Sequence, residues 1–237
     1  MTEIIYMADI DGNYVKEFEA TVERTGDDHV VLDRTAFYPE GGGQPSDRGV
    51  LKWNGNETQV IKVEKKGDII HRVKGPIPEE GTTVKAKIDW DLRYEHMKMH
   101  TVQHLLSAAV FEMYGGETVG NQIHADYSRV DFAPVNLSDE DVQKIQDEVN
   151  RVIDEGLDVS IYEEDRDKLE EEMDEKRVNL SLLPRSIKRL RVIDIDGCDI
   201  CPCAGTHLRN TKEIGSIEIT KVENKGKDRQ RIYYELK

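Results

Sequence analysis

Between Val15 and Trp90 the apolar residues recur at every second position, in short bursts. VKEFEATVERT, DHVVLDRTAFY, ETQVIKVEKK, DIIHRVKG and TTVKAKIDW alternate apolar with polar side chains and are rich in Val, Ile and Thr. That is the pattern of strands with one buried face. Gly26-Asp27-Asp28, Asn54-Gly55-Asn56, Gly67-Asp68 and Glu80-Gly81 punctuate them as turns. Short strands at this spacing predict a small barrel or sandwich. After Asp89 the period changes. From Arg93 to Met113 the apolar residues Met99, Val102, Leu106, Ala109 and Met113 step by three and four, which is a helix stripe. The change of period sets a boundary between a β domain at 1–90 and a second domain at 91–237.

The second domain mixes both periods. Ser138 is a good N-cap, with acids in the first turn behind it and Val142, Ile145, Val149, Val152 and Ile153 on one face. Gly156 ends that helix. A shorter acidic helix is expected over about 163–176, and strands at Leu157–Tyr162, Leu190–Ile195, Ile214–Glu223 and Ile232–Leu236. Helices and strands without regular βαβ alternation predict an α+β domain.

Charge and cysteine usage narrow the partners. The chain of 237 residues carries a net charge of −15, which disfavours a large nucleic-acid footprint. The acids, however, concentrate between Ser138 and Glu175, while bases gather at Arg185, Lys188, Arg189 and Arg191 and again at Lys221, Lys225, Lys227, Arg229 and Arg231. A local basic patch on an acidic protein can still hold RNA. No run of about 18 apolar residues is present, so no membrane span is expected. The N-terminal stretch lacks the basic and apolar regions of a secretory signal. Three cysteines within six positions make a poor disulfide framework, and a reducing cytoplasm is the expected compartment.

The candidate chemistry lies in split clusters. In HTVQHLL, His100 and His104 are four apart on the predicted helix and can offer two imidazoles to one ion. In CAGTH, Cys203 and His207 have the same spacing in a glycine-containing loop. One thiolate and three imidazoles suit a tetrahedral, borderline-soft ion, above all Zn²⁺. Spacing alone leaves alternatives open. His96 also lies four residues before His100, although eight residues of helix rise roughly 12 Å and keep His96 and His104 from sharing an ion. Cys198 and Cys201 offer competing thiolates. No Glu lies between His100 and His104, so the H-E-x-x-H arrangement of many zinc hydrolases is missing. A third element is the loop FYPEGGGQPSDRG, Phe37 to Gly49, where Gly41, Gly42 and Gly43 permit close backbone approach and precede the amide of Gln44.

Taken in order, DRTAFYPEGGGQPSDRG, RYEHMKMHTVQHLLSAAV and CDICPCAGTHL resemble the editing region of alanyl-tRNA synthetase. The chain is similar in particular to the freestanding AlaX editing proteins of medium length. The resemblance implies a small β-barrel like a translation-factor domain, followed by an α+β editing domain of the threonyl/alanyl-tRNA synthetase type. It places one Zn²⁺ per chain on His100, His104, Cys203 and His207, and gives His96, Cys198 and Cys201 no such role. Ala204 stands where the family loop usually has glycine. The implied activity is hydrolysis of the ester in mischarged tRNA(Ala), chiefly with serine and also with glycine. The expected partner is thus tRNA(Ala), with no DNA or membrane partner. Gly42, Gly43 and Gln44 are expected near the substrate. Thr118 falls where the family senses the serine side chain, with Asn121 and Gln122 as alternatives. The rival expectation is a non-catalytic, zinc-stabilised tRNA-binding module.

Overall fold

The computed structural model describes residues 2–172, 180 and 184–237. The chain divides into two compact units, Met1–His96 and Met97–Lys237. In the first, β1 (Glu3–Ile4), α1 (Ile10–Asn13), β2 (Glu17–Thr25), β3 (His29–Leu32), β4 (Arg34–Thr35), β5 (Gly49–Trp53), β6 (Asn56–Lys66), β7 (Asp68–Lys74) and β8 (Thr83–Ile88) follow in order. The strands β2-β3-β7-β6-β5-β8 close a barrel, so no edge among them is left to pair with another chain. Alternation along each strand sends Val22, Val30, Leu32, Leu51, Val60, Val63, Val84 and Ile88 inward. The β5–β6 turn carries Asn54 at φ 45° and Gly55 at φ 78°, the left-handed pair that a two-residue hairpin needs. His71 is buried inside the barrel, with Nε2 2.9 Å from the Thr35 hydroxyl. Burial pushes its pKa down to about 4 and keeps the ring neutral.

The glycine loop is a built structure rather than a slack connection. Gly41 and Gln44 pair through both backbone hydrogen bonds, 3.1 and 2.9 Å, around Gly42 at φ 57° and Gly43 at φ 86°. Two successive left-handed residues favour glycine at both positions. Gly41, Gly42 and Gly43 are exposed, whereas Gln44 is buried. At the base of the loop, the Tyr38 backbone N–H donates to Asp47 Oδ2 at 2.6 Å. Asp47 in turn holds the fully buried Arg93, whose Nε donates to Oδ1 at 2.8 Å. The remaining guanidinium donors reach the carbonyls of Asn13 (3.0 Å) and Ala36 (2.7 Å).

The second unit begins inside α2 (Trp90–Tyr114). It continues with β9 (Glu117–Gln122), β10 (Ser128–Ala133), α3 (Asp139–Glu155), β11 (Val159–Asp165), α4 (Arg166–Glu172), β12 (Arg189–Ile195), β13 (Asp199–Pro202), β14 (Ile217–Gly226) and β15 (Arg229–Leu236). One antiparallel sheet runs β14-β15-β10-β9, and a second runs β11-β12-β13. Barrel and mixed α/β content agree with the fold class read from the sequence. Ser138 caps α3 in a reciprocal capping box with Asp141, and Gly156 closes it at φ 72°. The Asn150 and Gln146 side chains of α3 bond the backbone of β14 at Ile217 and Ile219. These contacts cover that edge strand.

The sequence reading named no strand at β9, β10 or β13, and three further details differ. The strand β5 lies in a stretch, Gly49–Trp53, too short to announce itself by alternation. The segment expected to open the short acidic helix is instead the end of β11, and α4 begins at Arg166; positions 173–176 of that expected helix lie outside the described residues. The third concerns α2, which is more than a one-sided stripe. From Met97 to Val110 every residue but Lys98 is buried, including His100, Thr101, Gln103, His104 and Ser107. Polar side chains at buried helix positions need partners, and those partners make the site.

Asp47→Ala is expected to strand the buried Arg93 charge and cost about 3–5 kcal/mol of stability, read as a lower midpoint in urea denaturation. A cost below about 1 kcal/mol would mean that the pair does not anchor the loop.

Candidate metal centre

His100 and His104 stand on one face of α2, and Cys203 and His207 come from the loop that follows β13. Their ligand atoms all lie within 4.8 Å of one another. Cys203 Sγ is 3.7 Å from His100 Nε2 and 3.4 Å from His207 Nε2. A tetrahedral ion with metal–sulfur bonds of about 2.3 Å and metal–nitrogen bonds of about 2.0 Å holds such atoms roughly 3.5 Å apart. The cluster therefore has the spacing of a coordination sphere and can hold a metal ion. His100, His104 and His207 are 2%, 4% and 0% exposed, while Cys203 is partly exposed.

Neighbouring residues aim the imidazoles. His104 Nδ1 lies 2.8 Å from Asp199 Oδ2. Asp199 is buried on β13 and can only accept, so the ring donates from Nδ1 and turns Nε2 toward the cluster. Thr101 does the same for His207. Its hydroxyl donates to the Met97 carbonyl at 2.9 Å, which leaves its oxygen to accept from the Leu208 N–H and from His207 Nδ1, both at 3.3 Å. The loop is held from outside by Arg191, which donates to the Cys203 carbonyl at 2.5 Å. The Gly205 N–H points at Cys203 Sγ, 3.3 Å away.

Charge follows the same design. Burial opposes ionisation of Cys203, but the charge of His100 and the facing imidazoles outweigh it and hold the thiol well below its ordinary range. Burial also opposes a charge on His104. Its bonds to Asp199 and to the thiolate prevail and raise its pKa to about 9. Metal uptake at neutral pH therefore releases a proton from this cluster.

A second group, His104, Asp199 and Cys201, also lies within coordination distance. The two groups exclude each other, because a neutral imidazole has one lone pair and His104 cannot present both nitrogens as ligands. Cys198 belongs to neither group among the described residues.

Sequence reasoning missed Gln103 and Ser107, which follow His100 on α2 at i+3 and i+7 and so share its face. Gln103 Nε2 donates to Ser107 Oγ at 2.8 Å, and the Thr118 hydroxyl donates to the same oxygen at 2.7 Å. Asn121 Nδ2 donates to Gln103 Oε1 at 3.2 Å. The register of β9 against β10 shifts between Asp131 and Phe132. That bulge at Val119 puts Thr118 and Asn121 on one face although they are three residues apart. Gln122 takes the opposite face and accepts from Arg129 Nε at 3.1 Å. The only signal in the sequence was polar residues at buried positions of a helix.

Two family models match the chain. The one described as tRNA synthetases class II (A) covers residues 5–92, and the threonyl and alanyl tRNA synthetase second additional domain covers 190–233. The alanyl-tRNA editing protein AlaX-M of Methanosarcina acetivorans is 40% identical over all of this chain and 99% of its own length. AlaX-M of Saccharolobus solfataricus is 37% identical over the full length of both. The chain belongs to the AlaX family of alanyl-tRNA editing proteins. Within this AlaX-M group the match runs end to end. In the alanine–tRNA ligase of Pyrococcus abyssi, 39% identity extends over 89% of this chain and 23% of the ligase. No helix among the described residues is long and apolar enough to cross a membrane.

Metal analysis of the purified AlaX-type chain is expected to find about one ion per chain. Cys203→Ala and His104→Ala should lose it, and Cys198→Ala and His96→Ala should keep it. Retention without Cys203 together with loss without Cys201 would move the ion to the second group.

Proposed function

We propose that this AlaX-family chain is a zinc-dependent trans-editing hydrolase. It acts on tRNA(Ala) mischarged with serine, and also with glycine, in the cytoplasm. The observation that carries the reading is the partly buried polar chain Thr118–Ser107–Gln103–Asn121, whose Gln103 and Ser107 share the helix face of the His100/His104 pair. In this reading residues 1–90 form the barrel domain with the glycine loop, and 91–237 form the editing domain.

The need for such an enzyme is physical. A pocket built for alanine cannot strongly reject a smaller amino acid or one that adds a hydroxyl, so a second, hydrolytic site is required. Water adds to the ester carbonyl, the amino acid leaves as its carboxylate, and the terminal adenosine regains its hydroxyl. His100, His104, Cys203 and His207 suit zinc by donor type, since one soft thiolate and three imidazoles match its preferences. When bound, zinc would supply a Lewis acid.

The other roles belong to the polypeptide. The Thr118 hydroxyl spends its proton on Ser107, so its oxygen is left to accept from the hydroxyl of a seryl group. With alanine bound, that acceptor has no partner, and the difference amounts to about 1–3 kcal/mol. Asp199 and Thr101 keep the rings of His104 and His207 turned inward. In the glycine loop, Gly42 and Gly43 offer bare backbone to the acceptor end of the tRNA. Gln44, buried, closes the turn that presents them.

The set of four protein ligands itself favours a second reading, a non-catalytic tRNA-binding module with a structural zinc ion. Serine-charged tRNA(Ala) separates the two: the hydrolase cleaves the ester and spares free amino-acid esters, while the module protects it. Thr118→Val should keep the zinc and the fold, slow deacylation of serine-charged tRNA(Ala), and narrow the preference over the alanine-charged form. Unaltered discrimination would remove Thr118 from the site.

A further inference from the structure

The outer face of the β14-β15-β10-β9 sheet carries an arrangement that the editing site does not use. Asp131 on β10 is 2% exposed and gathers three guanidinium groups. Arg231, directly opposite in register, grips both carboxylate oxygens at 2.6 and 3.0 Å. Arg229 donates to Oδ2 at 2.7 Å, and Arg129 lies 3.5 Å from Oδ1. One strand further along the row, Glu223 takes Lys221 and Lys225 together. Five cations thus share two carboxylates on one face of a chain whose net charge is −15.

This excess is organised. Guanidinium groups do not deprotonate, so clustering three of them on one buried anchor keeps uncompensated charge together against its own repulsion. Beside the arginines stands an aromatic group. Tyr127 is 43% exposed, its ring centroid 6.4 Å from Tyr233 and 5.5 Å from His124. Lys221 lies 5.6 Å over the Tyr233 ring. At the opposite end of the face the sign reverses, with Glu218 paired across the strands with Glu235. The positive field is confined to the half that begins at Arg229.

We propose that this half of the sheet is an RNA-docking surface, in which Arg129, Arg229 and Lys221 take backbone phosphates and Tyr127 stacks an unpaired base. Planar forks that match phosphate and rings that match any base are the two components of a sequence-tolerant RNA groove. An acidic peptide would satisfy the arginines but has no use for the exposed ring. In the other basic cluster, Arg191 is buried on the Cys203 carbonyl and Arg189 pairs with Glu163. The proposal rests on tRNA as the partner and names the surface that receives it.

The test is binding of uncharged, fluorescently labelled tRNA(Ala) across a salt series, which separates docking from hydrolysis. Arg229→Gln leaves Asp131 held by Arg231, so the sheet stays intact, and an unchanged melting temperature checks this. The double variant Arg229→Gln/Lys221→Gln should bind several-fold more weakly. Its plot of log affinity against log salt should be shallower by about 0.7–0.9 per lost contact. Tyr127→Ala should weaken binding with little change in slope, and Arg189→Gln should bind as the parent does. Parental affinity and slope in the double variant would overturn the proposal, as would an equal loss in Arg189→Gln. Loss of binding to a polyglutamate peptide with tRNA binding intact would assign the face to an acidic protein instead. A parent that binds tRNA through this face yet leaves serine-charged tRNA(Ala) intact would overturn the hydrolase and not the surface.

Discussion

Four side chains able to hold a metal ion, facing one another within a folded unit, set the terms for everything around them. Three imidazoles and a thiolate removed from water repel, demand protons or demand an ion, and each ring must turn the correct nitrogen inward. The surroundings of α2 meet these demands one by one. Asp199 fixes His104, Thr101 fixes His207, and Arg191 and the Gly205 N–H hold the Cys203 loop. The helix can carry so many polar groups between Met97 and Val110 because His100, Thr101, Gln103, His104 and Ser107 each meet a partner there.

The same helix explains how the cluster and the polar chain are brought together. His100, Gln103, His104 and Ser107 occupy adjacent positions on one helical surface. The bulge at Val119 then delivers two side chains of β9 to that surface where a regular strand would deliver one. In the proposed function this chain would distinguish a hydroxyl from a methyl group by the cost of leaving a partly buried acceptor unpaired. In the barrel unit, the Asp47–Arg93 pair gives the glycine loop a rigid base, so that two left-handed glycines are displayed at a fixed place.

Much of this was legible in the sequence, for identifiable reasons. Local signals carried the turns at Asn54-Gly55 and Gly67, the Ser138 cap, the Gly156 stop and the change of period near Asp89. The i,i+4 pairs His100/His104 and Cys203/His207 were legible because each is local, and family resemblance chose between them and His96, Cys198 and Cys201. What stayed hidden was non-local. Asp47 finds Arg93 across 46 positions, and His104 finds Asp199 across 95. The strand β5 is set by its neighbours in the barrel more than by its own five residues. The bulge at Val119, which separates Asn121 from Gln122 in role, has no signature in composition.

Whether the metal cluster is the site of ester hydrolysis is tested most directly by reconstitution of chelator-stripped protein. Zinc is titrated into the metal-free chain while deacylation of serine-charged tRNA(Ala) is followed at each addition. The predicted result is a rate that rises from the uncatalysed level in proportion to added zinc and levels off at about one equivalent per chain. A full rate in the stripped and correctly folded protein would contradict it.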